Sequence, residues 1–317
     1  MTNKSLSLDL ILHPEAAEVL RTKGKSFHFA SQFLPPEQRK HGAALYAFCR
    51  RVDDLADESL EPEIARNQLA VLKQDLEAGT SQDCHTASFL QLARATDMSI
   101  EPAIELVRGV QGDLEPVRIL NDAALIRYGY RVAGSVGLMM AHILGATDPR
   151  APAHAIDLGI AMQLTNIARD VAEDGINGRR YLPASRVGNL DPDQCANPNS
   201  AEREQVQACI LSVLDLAEEY YASGIAGLRY LPDRSAAAIY VAAKVYRAIG
   251  IRIRRAEADV WATRHYVPLP AKIGVALGNL PSILAGRHGK PPIHDSSLHG
   301  YIADLPGSDE SSAWVAA

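Results

Sequence analysis

Apolar positions recur at three- and four-residue spacing along almost the whole chain, and convincing apolar/polar alternation is absent. The pattern predicts helices over 14–32, 37–58, 62–78, 86–95, 100–112, 122–145, 151–174, 200–227, 234–262 and 270–285. Breaks fall where Pro and Gly gather: Pro35-Pro36, Asp148-Pro149, Asn177-Gly178 and Asn197-Pro198. The stretch 175–199 is the longest interior region without a helical pattern, and such loops are more often functional than mere connectors. From Arg287 onward Gly, Pro, Ser and His dominate, a composition that predicts a disordered tail. The expected organisation is one all-α domain over 1–286 and a tail over 287–317.

Composition narrows this picture. Apolar residues make up 47% of 317 positions, enough for a large interior, while aromatics are only 6%. That balance favours helices over a sandwich or barrel. A net charge of -6 weighs against a nucleic-acid partner, which selects basic domains. The four cysteines, Cys49, Cys84, Cys195 and Cys209, are scattered, so reduced thiols are expected. No run reaches the roughly 18 apolar residues of a membrane span. The N-terminal residues carry no apolar stretch of signal-peptide length, and a cytoplasmic location is expected.

Two acidic stripes stand out. In the segment 45–58, Leu45, Cys49, Val52 and Ala56 are spaced as one apolar helical face. Tyr46, Arg50, Asp53 and Asp57 form the neighbouring stripe, with the two carboxylates one turn apart. Like charges at that spacing cost a helix roughly 0.2–0.5 kcal/mol, which calls for a compensating partner. In the segment 159–174, Ile160, Leu164, Ile167 and Val171 form the apolar face, and Gln163, Asn166, Asp170 and Asp174 stack beside it. Uncharged oxygens in line with carboxylates suit a hard cation such as magnesium or a metal-held diphosphate. A solvated acidic face is the competing reading of each stripe taken alone.

Three further features carry chemistry. Arg179 and Arg180 follow the second stripe and could grip phosphate oxygens in a fork, or simply complement a helix C-terminus. The segment Tyr128–Gly137 holds three glycines, which either permit tight helix packing or keep room for a long ligand. Asp113 closes an otherwise apolar helix, either as a polar end or to orient an arginine or metal-bound water. Motifs for zinc proteases, P-loops, nucleophile elbows and dinucleotide sites are absent.

Taken together, DDLAD (53–57), YGYRVAGSVG (128–137), QLTNIARDVAED (163–174) and GRRYLP (178–183) resemble the squalene and phytoene synthases, most densely the bacterial phytoene-forming members, over about residues 20–285. The resemblance implies an all-α isoprenoid-synthase helical bundle around a deep central cavity. It implies that Asp53, Asp54, Asp57, Asp170 and Asp174 hold a Mg2+ cluster, with Mn2+ as a substitute, on prenyl diphosphates. Arg50, Gln163, Asn166, Arg169 and Tyr181 match further positions contacting metal or diphosphate. Tyr128 and Tyr246 match tyrosines near the reacting carbons, and Ser26 and Phe27 match the start of the substrate-lining first helix.

The implied reaction joins two geranylgeranyl diphosphates head to head through a cyclopropyl diphosphate to phytoene, in carotenoid biosynthesis, with no need of NADPH. The same chemistry on farnesyl diphosphate is the alternative, giving dehydrosqualene, presqualene diphosphate or squalene. Ser31 lies one turn beyond Phe27; if that face lines the tunnel, a small residue there leaves room for a C20 chain. Because phytoene is insoluble in water, peripheral membrane contact is expected, with Val267–Leu284 as the candidate segment.

Overall fold

The computed structural model describes residues 13–57, 61–268, 270–272, 274 and 292–308. Among these the regular structure is helical. The chain runs through α1 (Ala16–Lys23), α2 (Lys25–Ser31), α3 (Pro36–Asp57), α4 (Pro62–Ala78), α5 (Cys84–Thr96), α6 (Glu101–Gly112) and α7 (Asp122–Gly129). A π-helical turn over Tyr130–Gly134 leads into α8 (Ser135–Ile143), followed by α9 (Ala151–Ile176), α10 (Ala184–Val187), α11 (Pro192–Ala196) and α12 (Ser200–Ala226). A 3-10 turn over Gly227–Tyr230 precedes α13 (Asp233–Arg255), and another spans Ser296–His299.

Local chemistry sets many of these ends. Asn199 and Glu202 form a reciprocal capping box that opens α12, and Asp83 and Asn121 accept backbone N–H groups at the starts of α5 and α7. Gly79, at φ 69°, closes α4 in the left-handed conformation. The helix expected over 14–32 is two helices meeting at Gly24, where a Cβ would come within 2.7 Å of the Tyr46 ring. The helix expected over 234–262 ends at Arg255, beyond which Glu257 and Ala258 turn the chain at φ 53° and 57°. The loop expected over 175–199 contains two short helices, α10 and α11. The helix expected over 270–285 and the candidate membrane segment Val267–Leu284 lie mostly outside the described residues.

Helix α9 is the axis of the molecule, packed by α8, α11, α12 and α13. Its apolar face, Ile160, Leu164, Ile167 and Val171, is buried as the spacing predicts. On α3 the buried face is Leu45, Phe48, Val52 and Leu55; Cys49 is turned partly toward a cavity. The glycines of 128–137 serve close approach. A Cβ on Gly137 would lie 2.3 Å from the Ala155 carbonyl, and one on Gly159 2.3 Å from that of Ala133. The π-helical turn sits at this crossing, and its Val132 and Ala133 line a cavity.

All four cysteines are free thiols. No helix among the described residues is long and apolar enough to cross a membrane. Residues 292–308, inside the stretch expected to be a disordered tail, instead pack on the bundle, with His299 and Ile302 buried. Their docking rests on hydrogen bonds to tyrosine, arginine and aspartate side chains, which an apolarity pattern does not register.

Candidate active site

The two acidic stripes face each other across one cleft. Asp53 and Asp57 reach in from α3, and Gln163, Asn166, Asp170 and Asp174 from α9, around a cavity of about 180 Å³. Asp113, Tyr128, Arg179 and Tyr181 complete its wall. Asp53, Gln163 and Asn166 also line a second, larger cavity of about 430 Å³, so the two chambers meet at these residues. The second chamber is largely apolar, with Phe27, Val136, Met140, Leu158, Met162 and Ile239 among its walls.

The crowded carboxylates are costly to ionise. Burial pushes Asp53 up to about 7; Arg50 works against this, while Asp57, Asp54 and Asp113 add to it. Asp174 likewise stands at about 7, through burial and then the charge of Asp170. Cations flank the cleft. Arg169 Nε lies 2.8 Å from Asp170 Oδ1, and Arg264 approaches the same carboxylate at 3.1 and 3.2 Å. Arg179 spans toward Asp57 at 3.7 Å, and Arg50 pairs with Asp54.

One polar atom awaits a partner. Asn166 donates its Nδ2 to Gln163 Oε1 at 3.3 Å, and its Oδ1 is buried without a hydrogen-bond donor. An acceptor left dry beside partly protonated carboxylates is what a bound cation would satisfy. The donor set, all oxygens, fits Mg2+, with Asp53, Asp57, Asn166, Asp170 and Asp174 as the residues that would hold it.

A second network stands at the side of the cleft. Tyr181 and Tyr128 donate their hydroxyls to the two oxygens of Asp113, at 2.8 and 3.1 Å, and their rings stack 4.7 Å apart. Burial raises Asp113 to about 6, although both hydroxyls and Arg179 pull the other way. Asp113 therefore orients two tyrosines that border the substrate space. Tyr246 lies in the apolar chamber, its ring 5.2 Å from Phe27, and burial raises its phenol.

Four expected residues lie elsewhere. Asp54 lines neither chamber and is spent on its ion pair with Arg50. Arg180 is buried away from the acids, donating Nη1 to Leu182 O at 2.7 Å, so only Arg179 of the pair faces the cleft. Ser31 bonds its own helix at His28 O, 2.8 Å away; Phe27 lines the chamber and Ser31 does not, so the premise of the C20 argument from Ser31 is not met. Ser26 accepts a hydrogen bond from Lys272 at 3.0 Å, outside both chambers. Arg264 was not anticipated: it lies in irregular chain past α13, with no motif to mark it.

Comparison with known proteins bears on this arrangement. Residues 20–271 match the model of the squalene/phytoene synthase family. The chain is 34% identical to a 15-cis-phytoene synthase of Pantoea ananas, over 88% of this chain and 95% of that one. It is 36% identical to a 15-cis-phytoene synthase of Paracoccus sp. (strain N81106 / MBIC 01143), over 89% and 97%. Among solved structures, a dehydrosqualene synthase in complex with ligand superposes with a TM-score of 0.75 at 28% identity, covering 85% of this chain and 95% of that one.

Proposed function

The chain belongs to the squalene/phytoene synthase family, and on that premise we infer that it joins two geranylgeranyl diphosphates head to head, through a cyclopropyl diphosphate, to phytoene. The observation that carries this reading is the meeting of an acidic pocket and a long apolar chamber at Asp53, Gln163 and Asn166. A substrate with a polyanionic head and a hydrocarbon tail suits that pair of environments. The C20 chain length is supported by the phytoene synthases of Pantoea and Paracoccus that the chain resembles over 88% and 89% of its length.

Bound Mg2+, held by the carboxylates and Asn166, would neutralise the diphosphate as its bond to the allylic carbon breaks. The protein's own groups do the rest. Arg179, Arg169 and Arg264 are the cations within reach of the departing diphosphate. The resulting allylic cation is attacked by the double bond of the second substrate, and the proton lost closes a cyclopropane. The second diphosphate then leaves, the skeleton rearranges, and proton loss gives the conjugated triene without a reductant. Throughout, chamber walls such as Met140, Leu158 and Ile239 exclude the water that would quench each cation. Tyr128, fixed by Asp113, presents its ring to the acidic pocket.

The test is incubation with Mg2+ and either geranylgeranyl or farnesyl diphosphate, without NADPH, followed by mass analysis of extracted product. A C40 triene from the C20 substrate is the expected result. A C30 product formed from farnesyl diphosphate alone would keep the chemistry and overturn the chain length. Peripheral membrane contact for product release belongs to the same proposal. It predicts co-sedimentation with anionic liposomes.

A further inference from the structure

Residues 292–308 form a strap along the bundle, from Tyr230 at one end to Arg127, the neighbour of Tyr128, at the other. Tyr230 and Tyr220 donate their hydroxyls to Pro292 O at 3.0 Å and Leu298 O at 2.7 Å, and Tyr130 donates to Pro306 O at 2.6 Å. Arg127 forks Asp304 at 2.6 and 2.9 Å. At the centre lies Asp157 of α9, fully buried. Its Oδ1 faces His299 Nε2 at 2.9 Å, and its Oδ2 faces His294 Nε2 at 2.8 Å and accepts from Ser223.

The protons can be placed. His299 Nδ1 lies 2.6 Å from Ser308 O, a carbonyl, while its Nε2 faces a carboxylate; both partners only accept. His299 is therefore doubly protonated, and its imidazolium neutralises Asp157 in the interior. By donor type the trio could also hold a metal ion. However, the two histidines take different oxygens at ordinary hydrogen-bond length, which favours an ion pair over a shared metal centre.

One turn before Asp157, His154 forms part of the wall of the apolar chamber. Asn166, where the chamber meets the acids, and His154 are twelve residues apart on α9, about 18 Å along the axis, and Ala151, three residues further, closes the same wall. The His154 ring is clasped on its outer side by the strap: His294 meets it edge-on at 5.3 Å, and Tyr230, itself bonded to Pro292, stacks at 5.8 Å. A Cβ on Gly227 would lie only 2.1 Å from the His154 Cβ, so the side chain has no room on that flank either.

We propose that His154, backed by the strap that the Asp157–His299 pair latches, narrows the far end of the prenyl-chain chamber and limits the longest chain accepted. This rests on reading the chamber as the prenyl site, and the test separates the two claims. Binding of unreactive C20 and C25 prenyl thiolodiphosphates is measured calorimetrically with Mg2+, so that the outcome does not depend on turnover. His154→Ala is expected to raise the C25-to-C20 affinity ratio about tenfold, the scale at which pocket length discriminates chains. His299→Ala, which touches no chamber residue, is expected to raise it in the same direction. If His299→Ala fails to fold by circular dichroism, Arg127→Ala loosens the strap from its exposed end instead. An unchanged ratio in folded variants of both kinds overturns the proposal. A rise in His154→Ala alone overturns the strap's part in it. Failure of the parent chain to bind either analogue overturns it together with the functional reading, whereas binding without condensation overturns only that reading.

Discussion

Arg264 grips Asp170 from 94 positions further along the chain, with Nε 3.1 Å and Nη2 3.2 Å from the two carboxylate oxygens. The guanidinium thus stands on one of the carboxylates that would hold Mg2+. Arg264→Ala is expected to strengthen Mg2+ binding while lowering kcat/KM about tenfold, since a cation near the leaving diphosphate is lost. Its side chain is 59% exposed, so thermal stability should shift by under about 1 kcal/mol. Mg2+ titration, steady-state kinetics and a melting curve check the three parts. An unaltered Mg2+ affinity would show that arginine and metal do not compete.

Asp53→Asn and Asp170→Asn should each reduce condensation by at least about 10²–10³-fold, the scale of losing a preorganised electrostatic contact. Asp53→Asn should not lower the melting temperature of the metal-free chain at pH 8. Its ionised form is disfavoured by burial and by neighbouring acids, so removing the charge relieves the fold. A marked fall in melting temperature would mean that the carboxylate is a structural anchor instead.

The same carboxylates set a pH dependence. Asp53 and Asp174 keep their protons up to about 7 in the folded chain, whereas unfolded aspartates release them near about 3.9. Between those values the folded state binds more protons at these two groups, so their contribution to metal-free stability should fall as pH rises from about 4 to about 7. Mg2+ binding requires the deprotonated forms, so its apparent affinity should rise over that range and level off above it. Denaturant melts at stepped pH, with and without Mg2+, on the parent and on Asp53→Asn measure both slopes; a metal-free stability difference between the two chains that does not change from about pH 4 to about 7 would contradict this account.

At the strap the sign is opposite for one partner. Burial pulls His299 down, but the hydrogen bond and charge of Asp157 outweigh it and leave the imidazole raised, while Asp157 itself is lowered. His299's contribution is fully present below the unfolded histidine range near about 6.5 and fades as pH rises through its folded value. That of Asp157 is present above the unfolded aspartate value and fades only in acid. Protection factors over 292–308, taken after correcting for the intrinsic rise of amide exchange with pH, should therefore fall toward alkaline pH. Protection of this segment that is flat between pH 6 and 9 would rule the charged pair out.

Gly137→Ala should cost about 1–3 kcal/mol, because the added methyl meets the Ala155 carbonyl backbone rather than a yielding side chain. A chemical melt within a few tenths of the parent would show that α8 and α9 can separate.

What could be read from the chain alone follows from what periodicity encodes. The stripes on α3 and α9 were visible because an i,i+4 pattern fixes which side chains share a helix face, and both pairs do line one cleft. Spacing does not report what helices cross, so the meeting of Asp113 with Tyr128 and Tyr181, from three separate segments, was beyond it. Neighbouring residues in non-helical chain point apart, which is why Arg179 enters the cleft and Arg180 does not. Arg264 was hidden for a related reason: the helical pattern over 234–262 suggested continuity where the chain turns at Glu257 and Ala258. The strap was misjudged because its attachment is built of carbonyls, imidazoles and phenols, and composition counts only apolar content.

The seam at Asp53, Gln163 and Asn166 has a consequence for how a substrate finds its orientation. On one side of it lie groups that hold ions and water, and on the other a surface that wets only with hydrocarbon. The protein thus encloses a patch of oil–water boundary a few side chains wide, folded inward. An entering amphiphile is aligned by partition, as a surfactant is at a droplet, with no contact required to recognise its tail. Which way round the molecule sits is then a matter of solubility, and how long it can be is a matter of where the oil stops.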